Sequence, residues 1–202
     1  MRSWLTNIQW CPGCGDFLII MALKNAFKEL EIASHNRVVV SGVWCSGKAS
    51  QYVDWYAAET LHGRAVPFAT WVKLTNNNLT VVIMGGDGDG YGIGMGHFIH
   101  ACRRNVDMVY IVFDNENYAL TTGQASPTTP LWAKTKTTPD WNTTAPIDAL
   151  KLATDAGCGF AKMWHSKDFK WLKELIKEAI EYPGFALINV IQDCPSFKRW
   201  GD

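Results

Sequence analysis

Apolar residues recur along the chain in two alternating rhythms. Short unbroken β-branched or aliphatic runs stand at 37–42, 81–84, 108–115, 160–164 and 185–191, and runs of that length read as buried strands. Between them, apolar positions fall at helical spacing: Phe17, Ile20, Met21, Leu23, Phe27 and Leu30 after Asp16, then a helix starting near Pro67. Further helices follow over 91–104, ending on Arg103-Arg104, over 147–156, and as an amphipathic stretch over 168–181. Asp16 is placed to cap the first helix and Pro67 to open the second. Strands alternating with helices specify an α/β fold, a mostly parallel sheet with helices on both faces. Neither a repeat nor a domain boundary interrupts the pattern, so residues 1–202 read as a single domain with an N-terminal cysteine-bearing segment.

One stretch breaks the rhythm. Residues 121–145 are rich in Thr, Pro and Lys, with Trp132 and Trp141, and an irregular loop of that length in a compact domain is commonly functional. Its first residues, Thr121-Thr122-Gly123-Gln124, are expected to fold over a bound ligand.

The run Val81 to Met84 gives way to Gly85-Gly-Asp-Gly-Asp-Gly90. A glycine-rich loop just past a strand exposes backbone N–H groups that can cradle an anion. The acids Asp87 and Asp89 alone repel a phosphate, but a divalent ion between carboxylate and diphosphate removes the conflict, and Mg²⁺ suits one or two protein oxygens plus phosphate and water. Asn115 ends the next strand, so parallel pairing brings it to the same carboxyl-end rim as Asp87. An oxygen of each, with a backbone carbonyl near Asn117, forms the expected metal site. The competing reading is a plain turn between strand and helix.

Charge and composition narrow the classes. Lys+Arg and Asp+Glu number 19 each, which favours neither nucleic acid nor an anionic membrane surface. Residues 1–9 hold no apolar core of signal-peptide length and no run approaches the ~18 apolar residues of a membrane span, so a cytoplasmic location is expected. The 10 tryptophans exceed what one core takes up, and some are expected to face a partner subunit or ligand. The 6 cysteines, in such a compartment, point to metal or redox work rather than a disulfide scaffold. Cys102 and Cys158 sit in apolar surroundings and read as core residues. Cys11, Cys14, Cys45 and Cys194 lie at element ends, the first two in a loop feeding a helix N-terminus where the dipole favours a thiolate. Four such thiolates suit a [4Fe-4S] cluster or a structural Zn²⁺, or they are unconnected free thiols.

Taken in order, Trp10-Cys-Pro-Gly-Cys-Gly-Asp16, Cys45-Ser-Gly-Lys48, Leu61-His-Gly-Arg-Ala65, Gly85-Gly-Asp-Gly-Asp-Gly90, His97, Arg103-Arg-Asn105, Thr121 to Gln124 and Cys194-Pro195 make the chain resemble the β subunit of 2-oxoacid:ferredoxin oxidoreductases, closest to the 2-oxoglutarate or broad-specificity branch. The resemblance implies a thiamine diphosphate-binding fold with three cofactors: thiamine diphosphate, Mg²⁺ and a [4Fe-4S] cluster. It implies CoA-dependent oxidative decarboxylation of a 2-oxo acid to acyl-CoA and CO₂, with electrons passed through the cluster to ferredoxin. Carried over by motif, Cys11, Cys14, Cys45 and Cys194 are cluster ligands, and Asp87 and Asn115 bind Mg²⁺ with the backbone oxygen of Asn117. Gly86, Gly88 and Asp89 hold the diphosphate, and Thr121 belongs to the segment closing over it. Ser46 and Lys48 line the cofactor and substrate pocket, with Lys48 attracting the substrate carboxylate and His62 donating a hydrogen bond or moving a proton. Trp44, Ala119 and Thr122 depart from the family pattern. Two other classes stay open: a non-redox thiamine diphosphate-dependent decarboxylase or lyase, and a zinc-stabilised nucleotide-binding module.

The resemblance further implies an α subunit that supplies the carboxylate activating the cofactor and much of the CoA site. This sequence offers no clear substitute, since Glu59 reads equally well as a surface residue. The purified chain alone is therefore expected to show no turnover until the partner is added, and a steady-state assay of the chain by itself checks this.

Overall fold

The computed structural model describes residues 9–197; residues 1–8, read above for a signal-type core, lie outside it together with Trp200. Helix α1 (Asp16–Glu29) is followed by β1 (Arg37–Ser41), α2 (Trp44–Gly47), β2 (Tyr56–Glu59), α3 (Ala65–Thr75), β3 (Thr80–Gly86), α4 (Met95–Arg104) and β4 (Met108–Asp114). Then come β5 (Asn117–Tyr118), β6 (Gln124–Ala125), α5 (Ala149–Asp155), β7 (Phe160–His165), α6 (Phe169–Glu181) and β8 (Phe185–Ile191). Six strands form one parallel sheet in the order β2-β1-β3-β4-β8-β7, and β5 and β6 make a small antiparallel pair. The mostly parallel α/β fold expected from the alternation is the fold observed.

Successive strand residues point to opposite faces. Val82, Met84, Val109, Ile111 and Phe113 pack against Leu23 and Phe27 of α1 and Leu172 and Ile176 of α6. Their neighbours Val81, Ile83, Met108, Tyr110 and Val112 pack against Ala69 of α3, Phe98 and Ala101 of α4 and Ala153 of α5. Both faces of the central strands are covered, so the apolar runs are unbroken rather than alternating. Strand β1 lies between β2 and β3, so the chain leaves β1 on one side and returns on the other. The loops after β1 and β3 diverge at that point, leaving a crevice at the carboxyl ends of the strands.

Departures from the sequence reading have local causes. Strand β2 is an edge strand with three of its four residues exposed, so no apolar periodicity marks it. Cys45, expected in a loop, lies in the single turn of α2. The helix expected over 91–104 opens as a wider π-type turn, Gly88–Ile93, kinked at Gly92, before α4 begins. Asp16 does not cap α1: Gly15 takes that place and Asp16 is the first helical residue, fully buried. Helix α3 starts at Ala65, with Pro67 in the first turn where an absent N–H costs nothing.

The long irregular segment is tied down. The Asn142 Nδ2 donates to the carbonyls of Thr129, Pro130 and Thr144 at 3.0, 3.1 and 2.9 Å, and Ile147 N donates to Pro127 O at 3.0 Å. Cys102 and Cys158 are buried in the core, as expected. Trp10 is buried against Phe17 and Tyr52, whereas Trp71, Trp132 and Trp171 stand exposed.

The glycine loop closes over Tyr110, a fully buried side chain rising from β4. A β-carbon on Gly90 would overlap the Tyr110 hydroxyl, while one on Gly96 in α4 meets nothing within 4 Å. Gly90→Ala is therefore expected to lose about 1–3 kcal/mol through overpacking. Gly96→Ala is expected to gain up to about 1 kcal/mol from helix propensity; urea denaturation of the two variants checks the opposite signs.

Candidate active site

Parallel pairing of β3 and β4 in the register Gly86↔Phe113 brings the residues that follow, Asp87 and the Asp114-Asn115 pair, to one rim. Asp87 and Asp114 are both buried. Thr128 from the long segment places its Oγ1 2.9 Å from Asp87 Oδ2 and 2.8 Å from Asp114 Oδ1. The other Asp114 oxygen accepts from Asn189 Nδ2 at 2.8 Å. Burial pushes the Asp87 carboxyl up from 3.8 to about 7, with the neighbouring Asp114 charge adding to the effect, and burial raises Asp114 as well.

The two asparagines are bonded to each other. Asn115 Oδ1 accepts from the backbone N–H of Asn117 at 3.1 Å, and the Asn115 carbonyl accepts from Asn117 Nδ2 at 2.8 Å. The buried Asn117 Oδ1 has no hydrogen-bond partner. An orphaned acceptor lining the same cleft as a buried acid lacks a positive partner. These hard oxygen donors fit Mg²⁺, and Asn115 Oδ1 keeps a second lone pair beside its one hydrogen bond.

Gly86 forms an open cradle: a β-carbon there meets only Ser46 Oγ at 3.6 Å and Phe113 O at 4.0 Å. Gly88 serves packing, because its missing side chain makes room for the Tyr118 ring. The Asp89 Oδ1 accepts from Gly63 N at 2.6 Å and lies 2.9 Å from His62 Nδ1, so its carboxylate fastens the His62 loop.

The cleft at the crevice is lined by Val43 to Ser46, by Gly86 to Asp89 and by Tyr118 to Thr121. Lys48 and His62 are not among its lining residues. Lys48 opens the short turn Lys48–Tyr52, and His62 packs edge-on to Tyr118. Thr121 lines the cleft, held by its hydrogen bond to the Tyr118 carbonyl at 3.2 Å.

Cys45 lines the cleft, and Cys11, Cys14 and Cys194 lie near enough to it for their charges to interact. Cys11 and Cys14 share a turn closed by Cys14 N donating to Cys11 O at 3.0 Å. The Trp10 indole donates to the Cys45 carbonyl at 2.8 Å, tying that turn to α2. Beyond β8 the chain returns, with Ser196 Oγ 3.4 Å from Cys11 Sγ. Burial, the charge of Asp16 and the neighbouring Cys194 and Cys11 push the Cys45 thiol up to about 12. Burial and Asp16 push Cys14 up as well. The helix N-terminus therefore does not by itself make a thiolate here. Among the described residues no three His, Cys, Asp or Glu side chains stand close enough to share one ion.

Residues 31–190 match the family described as "Thiamine pyrophosphate enzyme, C-terminal TPP binding domain". The chain is 48% identical over 200 residues to the 2-oxoacid:ferredoxin oxidoreductase subunit beta of Sulfolobus sp, covering 96% of this chain and 66% of that protein. It is 42% identical over 199 residues to the 2-oxoglutarate synthase subunit KorB of Archaeoglobus fulgidus, covering 98% of this chain and 74% of that protein. This chain belongs to the β subunits of the 2-oxoacid:ferredoxin oxidoreductases. A solved 2-oxoglutarate:ferredoxin oxidoreductase from Magnetococcus marinus, with 2-oxoglutarate, coenzyme A and succinyl-CoA bound, superposes with a TM-score of 0.95 at 39% identity, covering 97% of this chain and 67% of that one. The chain spans 66, 66 and 63% of the length of three 2-oxoacid:ferredoxin oxidoreductase β relatives.

Within this β-subunit site several residues escaped the sequence reading. Asp114 and Asn189 sit in strands whose other residues are almost all apolar, and a polar residue in such a strand requires a buried partner; that signal was available. Thr128 lies in an irregular loop and carries none. Asp16 and Gln192 line the cleft, and both Asp16 oxygens and Gln192 Oε1 are buried without partners.

The raised Asp87 group fixes the pH response of the cation-free protein. Folded Asp87 keeps its proton up to about pH 7, while the unfolded chain releases it near 3.8. Stability is then lost as pH rises through that window and levels off above it. Melting temperatures of the cation-free protein from pH 5 to 8 are expected to fall, with a shallower fall in Asp87→Asn and a Mg²⁺-induced rise largest at the alkaline end.

Proposed function

We propose that the chain is the thiamine diphosphate-binding β subunit of a cytoplasmic 2-oxoacid:ferredoxin oxidoreductase. It would catalyse CoA-dependent oxidative decarboxylation of a 2-oxo acid to acyl-CoA and CO₂, passing electrons through a [4Fe-4S] cluster to ferredoxin. The observation that carries this reading is that one cleft is walled both by the Gly86 to Asp89 loop and by the Cys45 turn, so a diphosphate anchor and a metal-ligating thiol share a single cavity. No helix among the described residues is long and apolar enough to cross a membrane.

In this reading Asp87 and Asn115 hold Mg²⁺ together with the backbone oxygen of Asn117, and Gly86 lets the diphosphate approach the backbone. Cys11, Cys14, Cys45 and Cys194 hold the cluster. One close pair, Cys11 and Cys14, joined by two cysteines remote in sequence favours a cluster over a Zn²⁺ site built from two close pairs. Bound thiamine diphosphate supplies an electron sink for decarboxylation, the chemistry that no side chain provides. The protein's own part is to orient and enclose. Trp44 and Leu120 border the cleft as exposed apolar groups, and Thr121 closes one wall. His62, fixed by Asp89 and still partly exposed, is available to a proton on a ligand reaching past the cleft. Lys48 acts through charge, favouring the Cys45 thiolate.

Glu59 is exposed and bonded to Gln51 Nε2 at 3.2 Å, away from the cleft lining. This supports an α subunit as the source of the activating carboxylate and the CoA site. Relatives named for 2-oxoacids and for 2-oxoglutarate support a substrate of the 2-oxo acid class in the 2-oxoglutarate or broad-specificity branch.

Anaerobic purification followed by iron, sulfide, Mg²⁺ and thiamine diphosphate analysis tests the assignment. Asp87→Ala is expected to lose Mg²⁺ and thiamine diphosphate while keeping iron, and Cys45→Ser to lose iron while keeping thiamine diphosphate. A colourless, iron-free protein that still binds thiamine diphosphate points instead to a non-redox lyase or decarboxylase. Stoichiometric zinc without thiamine diphosphate points to a nucleotide-binding module.

A further inference from the structure

The carboxylate assigned to the cation does not stand alone. Five buried polar residues from separate parts of the chain are joined in a line: Asp87 after β3, Thr128 in the long segment, Asp114 at the end of β4, Asn189 in β8 and Tyr91 in the π-type turn. The links are Thr128 Oγ1 to Asp87 Oδ2 at 2.9 Å and to Asp114 Oδ1 at 2.8 Å, Asn189 Nδ2 to Asp114 Oδ2 at 2.8 Å, and Tyr91 Oη to Asn189 Oδ1 at 2.7 Å. Glu116 N also donates to Asp114 Oδ1 at 3.2 Å.

Asp114 is thus engaged on both oxygens and is not among the cleft's lining residues, whereas Asp87 is. A hydroxyl has one proton and lone pairs on the same oxygen, so Thr128 donates to one acid and accepts from the other when that acid is protonated, fixing the distance between them. Tyr91, Asn189 and the Glu116 N–H hold Asp114 still. Asp114 in turn fixes Thr128, and Thr128 fixes Asp87.

We propose that Thr128 and Asp114 are positioning residues for the divalent cation, locking Asp87 in the orientation that presents it to the ion and making the long segment part of the metal site. The inference rests on the reading of Asp87 as a cation ligand. Outer partners that orient a ligating group are worth about 10–100-fold in metal affinity, the size expected here.

The test uses the full chain assembled with its partner subunit, stripped of divalent ions and titrated with Mn²⁺ in the presence of thiamine diphosphate, with free Mn²⁺ followed by electron paramagnetic resonance. Thr128→Val, which keeps shape and removes the hydroxyl, is expected to weaken Mn²⁺ binding about 10–100-fold. Thr128→Ser, which restores the hydroxyl, is expected to recover most of it. Asp114→Asn is expected to weaken binding in the same direction and, being a second route to the same contact, keeps the test decisive if Thr128→Val does not fold. A lower melting temperature with unchanged Mn²⁺ affinity in Thr128→Val and Asp114→Asn, while Asp87→Ala abolishes binding, overturns the inference and leaves the metal site standing. Unchanged affinity in Asp87→Ala overturns both.

Discussion

Two carboxylates, Asp87 and Asp114, are buried side by side at the ends of adjacent parallel strands and bridged by one hydroxyl. Two like charges in a low-dielectric rim are costly unless something positive stands nearby. The arrangement persists because the rest of the fold over-determines it: β3 and β4 are locked in register, Asn189 reaches across from β8, and Thr128 is delivered by a segment pinned through Asn142. The close approach of the two acids is therefore built into the sheet itself.

The same geometry explains why the glycine loop and Cys45 share a cleft. The reversal of strand order between β1 and β3 sends the segments that follow them to opposite sides. One segment carries the glycines and Asp87, the other carries Trp44, Cys45 and Ser46. Cys11 and Cys14 arrive through the loop before α1, and Cys194 follows β8, which runs beside β4. These groups are brought together by topology alone, with no dedicated linker between them.

Not every residue of the signature does what its type implies. Glycines 88 and 90 make room for tyrosine side chains, whereas Gly86 has open space beside it. The acid at position 89 fastens the His62 loop, and the Cys14 and Cys45 thiols are disfavoured as thiolates by burial and by Asp16. Chemistry at this rim depends on what occupies it as much as on the side chains.

Unbroken apolar runs and helical spacing determined the fold class and the buried strands, parallel pairing determined the grouping of Asp87 with the end of the next strand, and the ordered motifs carried the resemblance to the family. Edge strand β2, whose exposed residues carry no pattern, was beyond that reach, as were the π-type turn, the direction in which Asp89 points and the meeting of Ser196 with Cys11. Thr128 shows why most plainly. It lies in a loop with no periodicity, and its role is set by a hydrogen bond to an acid far away in the chain. Local spacing encodes which residues form an element and which face they occupy; only the packed sheet decides which polar groups are left facing one another once water has been excluded.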